Sequence, residues 1–188
     1  FTFFEQHIET QKQLAKSTLS DYRQTLNTLI EFQRVTKYMV DFNSINLSFY
    51  DKFKTFIIQN QGYSINTFGK RIKVIKTFMK DALDRKLHKN IDYKHKDFKT
   101  TEKIKKKMYL NLTDIKKLIV TEFNDKKLEE VRDVFLLICL LGIRISDFHQ
   151  LNKSNITKSI EGYTFNFQCQ KTNNFQNIPI HLKGIEII

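Results

Sequence analysis

Through the first 92 residues, apolar positions recur every three to four residues, and Gly62 and Gly69 are the only helix breakers. Phe3, Phe4, His7, Ile8 and Leu14 suggest a first helix. Ser17 or Thr18 is placed to cap a second, in which Leu19, Tyr22, Leu26, Leu29, Ile30 and Gln33 keep helical spacing. A third helix spans about 49–58, with Phe49, Phe53, Phe56 and Ile57 on one side and Gly62 past its end. The fourth starts near Ser64 or Asn66 and runs to about Lys86. Its apolar stripe is Phe68, Ile72, Ile75, Met79 and Ala82, joined by Leu83. At 100° per residue, Lys70, Lys73, Thr77 and Lys80 fall together on the opposite side.

The period is lost over 93–109, where lysine recurs every second or third residue, so this stretch is expected to be a basic linker. A second domain is expected from Leu110. Asn111 with Asp114 three residues on makes a capping-box variant, and Leu112, Ile115, Leu118 and Ile119 give the helix its buried face. Within the next helix, 128–141, the run Val134–Leu141 is apolar on every side and predicts burial all round. From Tyr163 the period becomes two: Tyr163, Phe165, Phe167 and Cys169 alternate with Thr164, Asn166, Gln168 and Gln170. Phe175 to Ile180 resumes the pattern, which predicts a β-hairpin with Lys171 at or just before its turn. Pro179, with no N–H to donate, places the second strand at an edge. The fold class is therefore mainly α with a small β-hairpin.

Charge narrows the partner. The chain carries a net +12, unevenly placed. Residues 70–117 hold seventeen Lys/Arg against six Asp/Glu, whereas 1–69 and 118–188 are at +1 and zero. A solvated face would mix its signs, so this block favours a polyanion. Nucleic acid is the leading candidate. A membrane surface is weaker, because the basic stretch has no exposed Trp/Leu face of its own. An RNA-binding module is disfavoured by the lack of an aromatic stacking platform. The residues expected to meet the polyanion are Lys16, Lys70, Arg71, Lys73, Thr77, Lys80, Lys103, Lys105, Lys106 and Lys107.

No apolar run is long enough to span a membrane, and the first residues, Phe1-Thr-Phe-Phe-Glu, do not form a signal peptide. Cys139 and Cys169 have no partners at metal spacing, so reduced thiols in a cytoplasm are expected. The absence of an initial Met suggests a chain that begins inside a longer parent.

Candidate chemistry sits at Gly142-Ile-Arg144-Ile-Ser-Asp147. Gly142 ends or bends the apolar helix, so Arg144 emerges from the core at a fixed, partly desolvated position. A planar fork of donors held that way suits a phosphate. A purely structural Arg144–Asp147 ion pair is the competing explanation.

Taken in order, these features resemble the tyrosine recombinase (phage integrase) family, particularly integrases of bacterial mobile elements. Residues 1–92 look like its helical SAM-like core-binding domain, with Thr18-x-x-x-Tyr22 in the second helix. Ser64 to Phe78 resembles that domain's DNA-contacting helix, and 110–188 looks like the N-terminal part of the α+β catalytic domain. Gly142–Asp147 matches the first catalytic arginine and its supporting acid, and Gln170-Lys171-Thr172 the hairpin with the catalytic lysine. The resemblance implies that a tyrosine attacks a DNA phosphodiester to give a 3′-phosphotyrosyl link, with no metal or nucleotide cofactor. Arg144 would hold the non-bridging oxygens, Lys171 would protonate the leaving 5′-oxygen, and Asp147 would orient its neighbours. A tetramer on two DNA sites, in a bacterial, nucleoid-associated setting, is implied for the parent.

The family's His-x-x-Arg and nucleophilic tyrosine should follow the lysine hairpin, and neither does. His149 and His181 lack the arginine, and Tyr163 precedes Lys171 inside a strand. The expectation is a recombinase truncated within its catalytic domain and inactive by itself. A natural non-catalytic DNA-binding regulator of a mobile element is the alternative.

Overall fold

A computed structural model describes residues 1–11, 13–104 and 106–187, with the backbone alone at Lys183 and Glu186. It divides into two compact units, Phe1–Lys106 and Lys107–Ile188.

The first unit is helical: α1 (Thr2–Thr10), α2 (Lys16–Thr36), α3 (Leu47–Thr55, continued by a π-helical turn, Phe56–Asn60) and α4 (Ile65–Asp84). Phenylalanine dominates its core. Phe32, Phe49, Phe53, Phe68 and Phe98 are fully buried, and Phe32 meets Phe49, Phe53 and Phe56 edge-on at 5.3–5.6 Å between centroids. The expected stripe of α4 is buried, and Lys70, Lys73, Thr77 and Lys80 lie exposed on its other side. Ser64 caps α4 by accepting from the Thr67 N–H at 3.2 Å.

Three local expectations are corrected. Ser17 and Thr18 do not cap α2; they lie in its first turn, because the Ala15 carbonyl already accepts from the N–H groups of Thr18 and Leu19. Leu14 lies outside α1. Gly69 breaks nothing, since α4 runs straight through it. Its role is steric: a Cβ there would sit 2.0 Å from the Thr101 carbonyl oxygen.

The first unit also extends past residue 92. Tyr93, in a 3₁₀ turn (Asp92–Lys94), is buried, as is Phe98. Two aromatics spaced through a lysine run make no period, yet each finds a place in the core, so the backbone around them is held.

The second unit contains α5 (Leu112–Val120), α6 (Lys126–Leu141), α7 (Ile145–Phe148) and α8 (Leu182–Ile187) around a three-stranded antiparallel sheet. Asn111 and Asp114 close the expected capping box on α5. The sheet is β1 (Ile156–Ser159), β2 (Gly162–Gln168) and β3 (Phe175–Ile180), in that order. The expected hairpin is therefore joined by a third strand, with Phe165 of β2 facing Ile156 and Ile178 on its two sides. Pro179 lies in edge strand β3, as its missing donor requires. Tyr163 is a half-buried residue of β2.

Helix α6 departs from the expectation of burial all round. Leu136, Leu137 and Leu141 are buried, whereas Phe135 is 41% and Leu140 42% exposed. Within this unit β3, α8 and α5 pack against the helix and leave part of its surface uncovered. Among the described residues no helix is long and apolar enough to cross a membrane.

Candidate functional site

Helix α6 ends at Gly142, whose backbone is left-handed (φ +62°) and whose N–H donates to the Ile138 carbonyl. Glycine takes that conformation without strain, so the chain reverses sharply and Arg144 becomes the residue that opens α7. The Arg144 carbonyl accepts from Asp147 and Phe148, which fixes the backbone beneath the guanidinium.

Asp147 is 2% exposed and points into the hairpin. Its Oδ1 accepts from the Gln170 N–H at 3.0 Å, and Oδ2 accepts from the Cys169 thiol at 3.5 Å. The guanidinium of Arg144 donates from Nη1 to Cys169 Sγ at 3.4 Å and lies 3.8 Å from Asp147 Oδ2. Gln150 Nε2 adds a bond to the Gln168 carbonyl. The turn of the hairpin is thus fastened to the arginine segment by side chains from α7 and the residues just after it.

At 3.8 Å the Arg144–Asp147 ion pair is the longest of these contacts. Asp147 spends its better bonds on the hairpin, and the Arg144 side chain is 58% exposed. Among the described residues its one hydrogen bond goes to the Cys169 sulfur. Arg144 lines a cleft of about 530 Å³ bordered by Gly142, Asp147, Thr172, Asn174 and Gln176. Lys171 is exposed in the turn of that hairpin but does not line the cleft. Cys169 was missed as a site residue, although its inward place in the alternation was visible. Its thiol is held below the usual value, chiefly by the Thr172 hydroxyl, then by the backbone N–H groups of Thr172 and Lys171.

Replacing Asp147 with Ala should leave the Gln170 N–H without its acceptor and cost about 1–3 kcal/mol. Asp147→Asn, which keeps an acceptor oxygen, should cost less. Faster amide exchange at Gln170 in the alanine variant, with a lower unfolding temperature, checks this.

In the first unit, the exposed Lys70, Lys73, Thr77 and Lys80 form one side of α4, and Lys16 is exposed at the start of α2. Arg71 differs. It is 9% exposed, donates to Gln24 Oε1 at 3.0 Å and Thr25 Oγ1 at 3.4 Å, and leaves Nε without a partner among the described residues. Burial lowers its pKa. It ties α4 to α2 under a groove of about 300 Å³ bordered by Thr18, Tyr22, Lys70, Lys73 and Thr77. Lys103 and Lys106 are exposed near the end of the first unit, Lys107 opens the second, and Lys105 lies outside the described residues.

Residues 1–101 match the family model described as "Phage integrase SAM-like domain". The chain belongs to the phage integrase, or tyrosine recombinase, family. Two crystal structures of the XerH site-specific recombinase share the fold of this integrase-family chain. The post-cleavage complex with palindromic difH substrate aligns with a TM-score of 0.63 and 16% identity, over 97% of this chain and 54% of that one. The pre-cleavage complex with difH substrate gives 0.60 and 17%, over 98% and 55%. At this identity the likeness shows the fold, and the chain spans about half the length of the recombinases it matches. No curated protein matches it significantly.

Proposed function

We propose that this chain is the duplex-DNA-binding part, and the arginine- and lysine-bearing part, of a site-specific recombinase or integrase of a bacterial mobile element. Its divisions would be a core-binding domain over 1–92, a basic connection over 93–109 and the N-terminal part of a catalytic domain over 110–188. The observation that carries this is the half-exposed Arg144 guanidinium, tied by Cys169 and Asp147 to the hairpin whose turn holds Lys171. The XerH structures it resembles are complexes with a recombination-site substrate.

In the reaction, a tyrosine oxygen attacks phosphorus, the bond from phosphorus to the 5′-oxygen breaks, and a 3′-phosphotyrosyl link remains. Arg144 neutralises charge on the non-bridging oxygens of the phosphorane. Lys171, carried on an exposed turn, gives its proton to the departing 5′-oxygen. Asp147 holds both segments in register. Tyr163, paired in β2 and half-buried, is not the nucleophile. The attacking tyrosine belongs to the parent protein, which would act as a cytoplasmic tetramer across two sites without a cofactor.

A nicked suicide duplex tests the assignment. The 188-residue chain should bind it without forming a covalent adduct, and a parent protein containing this chain should form one through tyrosine. A parent that binds the duplex but never forms the adduct would favour a non-catalytic regulator.

A further inference from the structure

Residues 98–103 run antiparallel to α4 and are fastened to it at both ends. The Phe98 ring is fully buried, and its carbonyl accepts from Lys76 Nζ at 2.7 Å. The Lys99 carbonyl accepts from the Tyr50 hydroxyl at 3.0 Å. Thr101 places its carbonyl oxygen where a Cβ on Gly69 would otherwise stand. Asn66 then takes both backbone groups of Lys103: its Oδ1 accepts from the N–H at 2.7 Å, and its Nδ2 donates to the carbonyl at 2.9 Å.

The lengths agree. From Lys76 back to Asn66, α4 rises roughly 15 Å, and an extended chain from Phe98 to Lys103 covers roughly 16 Å. Asn66 shares the face of Lys70, Lys73, Thr77 and Lys80, and Gly69 and Lys76 flank it. The segment therefore lies along one margin of the cationic stripe. The carbonyls of Phe98 and Lys99 and both backbone groups of Lys103 are engaged with α4 and Tyr50, while the side chains of Lys99 and Lys103 remain exposed.

We propose that Asn66, Gly69 and Lys76 latch residues 98–103 to α4 as a fixed strap. Lys99 and Lys103 then form a second row of a duplex-phosphate-binding surface whose first row is Lys70, Lys73 and Lys80. The DNA partner rests on the function proposed above; the latch does not. A lysine row already ordered in the free protein avoids the entropy that a mobile linker loses on binding. Residues 98–103 of the basic connection are then held on the core-binding unit.

Gly69→Ala separates the strap from the helix. Alanine is the better helix former, so α4 is retained, but the new Cβ displaces Thr101. Asn66→Ala removes the last two bonds by a different route. Each variant should keep its helical circular dichroism, exchange the Lys103 amide faster, and be cut by trypsin after Lys99 and Lys103 at least several-fold faster than wild type. On a random-sequence 30-base-pair duplex, affinity at low salt should fall about three- to tenfold, and the salt slope should lose roughly two, one for each phosphate contact released. A wild-type Lys103 amide that exchanges like that of an unfolded peptide, with trypsin cutting after Lys99 and Lys103 as fast as in an unfolded chain, would overturn the latch. A variant whose strap opens while affinity and slope stay unchanged would overturn the second row. Wild-type protein that fails to bind the duplex at all would refute the proposed function and the strap's partner, with the exchange and cleavage data still deciding the latch.

Discussion

Arg144→Ala, placed in a parent protein that supplies the nucleophilic tyrosine, is expected to slow strand cleavage by about 10²–10³-fold or more, the scale for losing one preorganised donor to a transition-state oxyanion. The side chain gives the protein little else. It is 58% exposed, its hydrogen bond is to a sulfur, and its distance to Asp147 is 3.8 Å. Folding should therefore be nearly unaffected, and DNA binding should fall by no more than one phosphate contact. Single-turnover cleavage of a nicked duplex, beside binding by the same variant, checks the split. Equal losses in binding and cleavage would mean that Arg144 anchors the complex rather than the reacting phosphate. Arg144→Lys should recover little, because an ammonium cannot make the planar two-point contact that a phosphate accepts from guanidinium.

The second large effect is on stability. Phe32→Ala should destabilise the first unit by about 3–5 kcal/mol. Phe32 is fully buried on α2, ringed by Phe49, Phe53 and Phe56, with Tyr38 beside it at 5.6 Å. Those rings come from α3, the π-helical turn and the segment just after α2, so they cannot close in on a smaller side chain without moving backbone. Against a total stability of roughly 5–15 kcal/mol for a domain, much of the unit's margin would go. Chemical denaturation followed by circular dichroism measures it, and a loss below about 1 kcal/mol would show that the aromatic cluster is loosely packed. Phe32→Leu, which keeps most of the volume, should recover much of the difference.

The core of the first unit was legible because its period is strong: Phe49, Phe53, Phe56 and Ile57 repeat on one side of a helix, and all four are buried. The strap was not. Its anchor Phe98 stands alone among lysines, and the reason for Gly69 is a carbonyl distant in sequence. Arg71 counts as one more cation in a charge tally, yet its hydrogen bonds to α2 bury it. In the second unit the Gly142–Arg144 reversal could be read from residue types alone, since a glycine after an apolar helix has few conformational alternatives. The link from Asp147 to Gln170 and Cys169 could not, because it joins a helix to a turn through a backbone N–H that any residue would offer. Helix α6 shows the limit of hydropathy: an all-apolar run marks what would be stable if covered, and part of its surface remains open within this unit.

The lysine-covered side of α4 is expected to engage the phosphates of a double helix, and duplex affinity of the 188-residue chain as salt is raised tests this. Several released counterions predict an affinity that falls by about 10²-fold or more between 50 and 200 mM monovalent salt. Lys73→Ala with Lys80→Ala should flatten that slope by roughly two and weaken binding on every sequence alike. An affinity that does not move with salt, or a double variant that binds as tightly as wild type, would contradict the account.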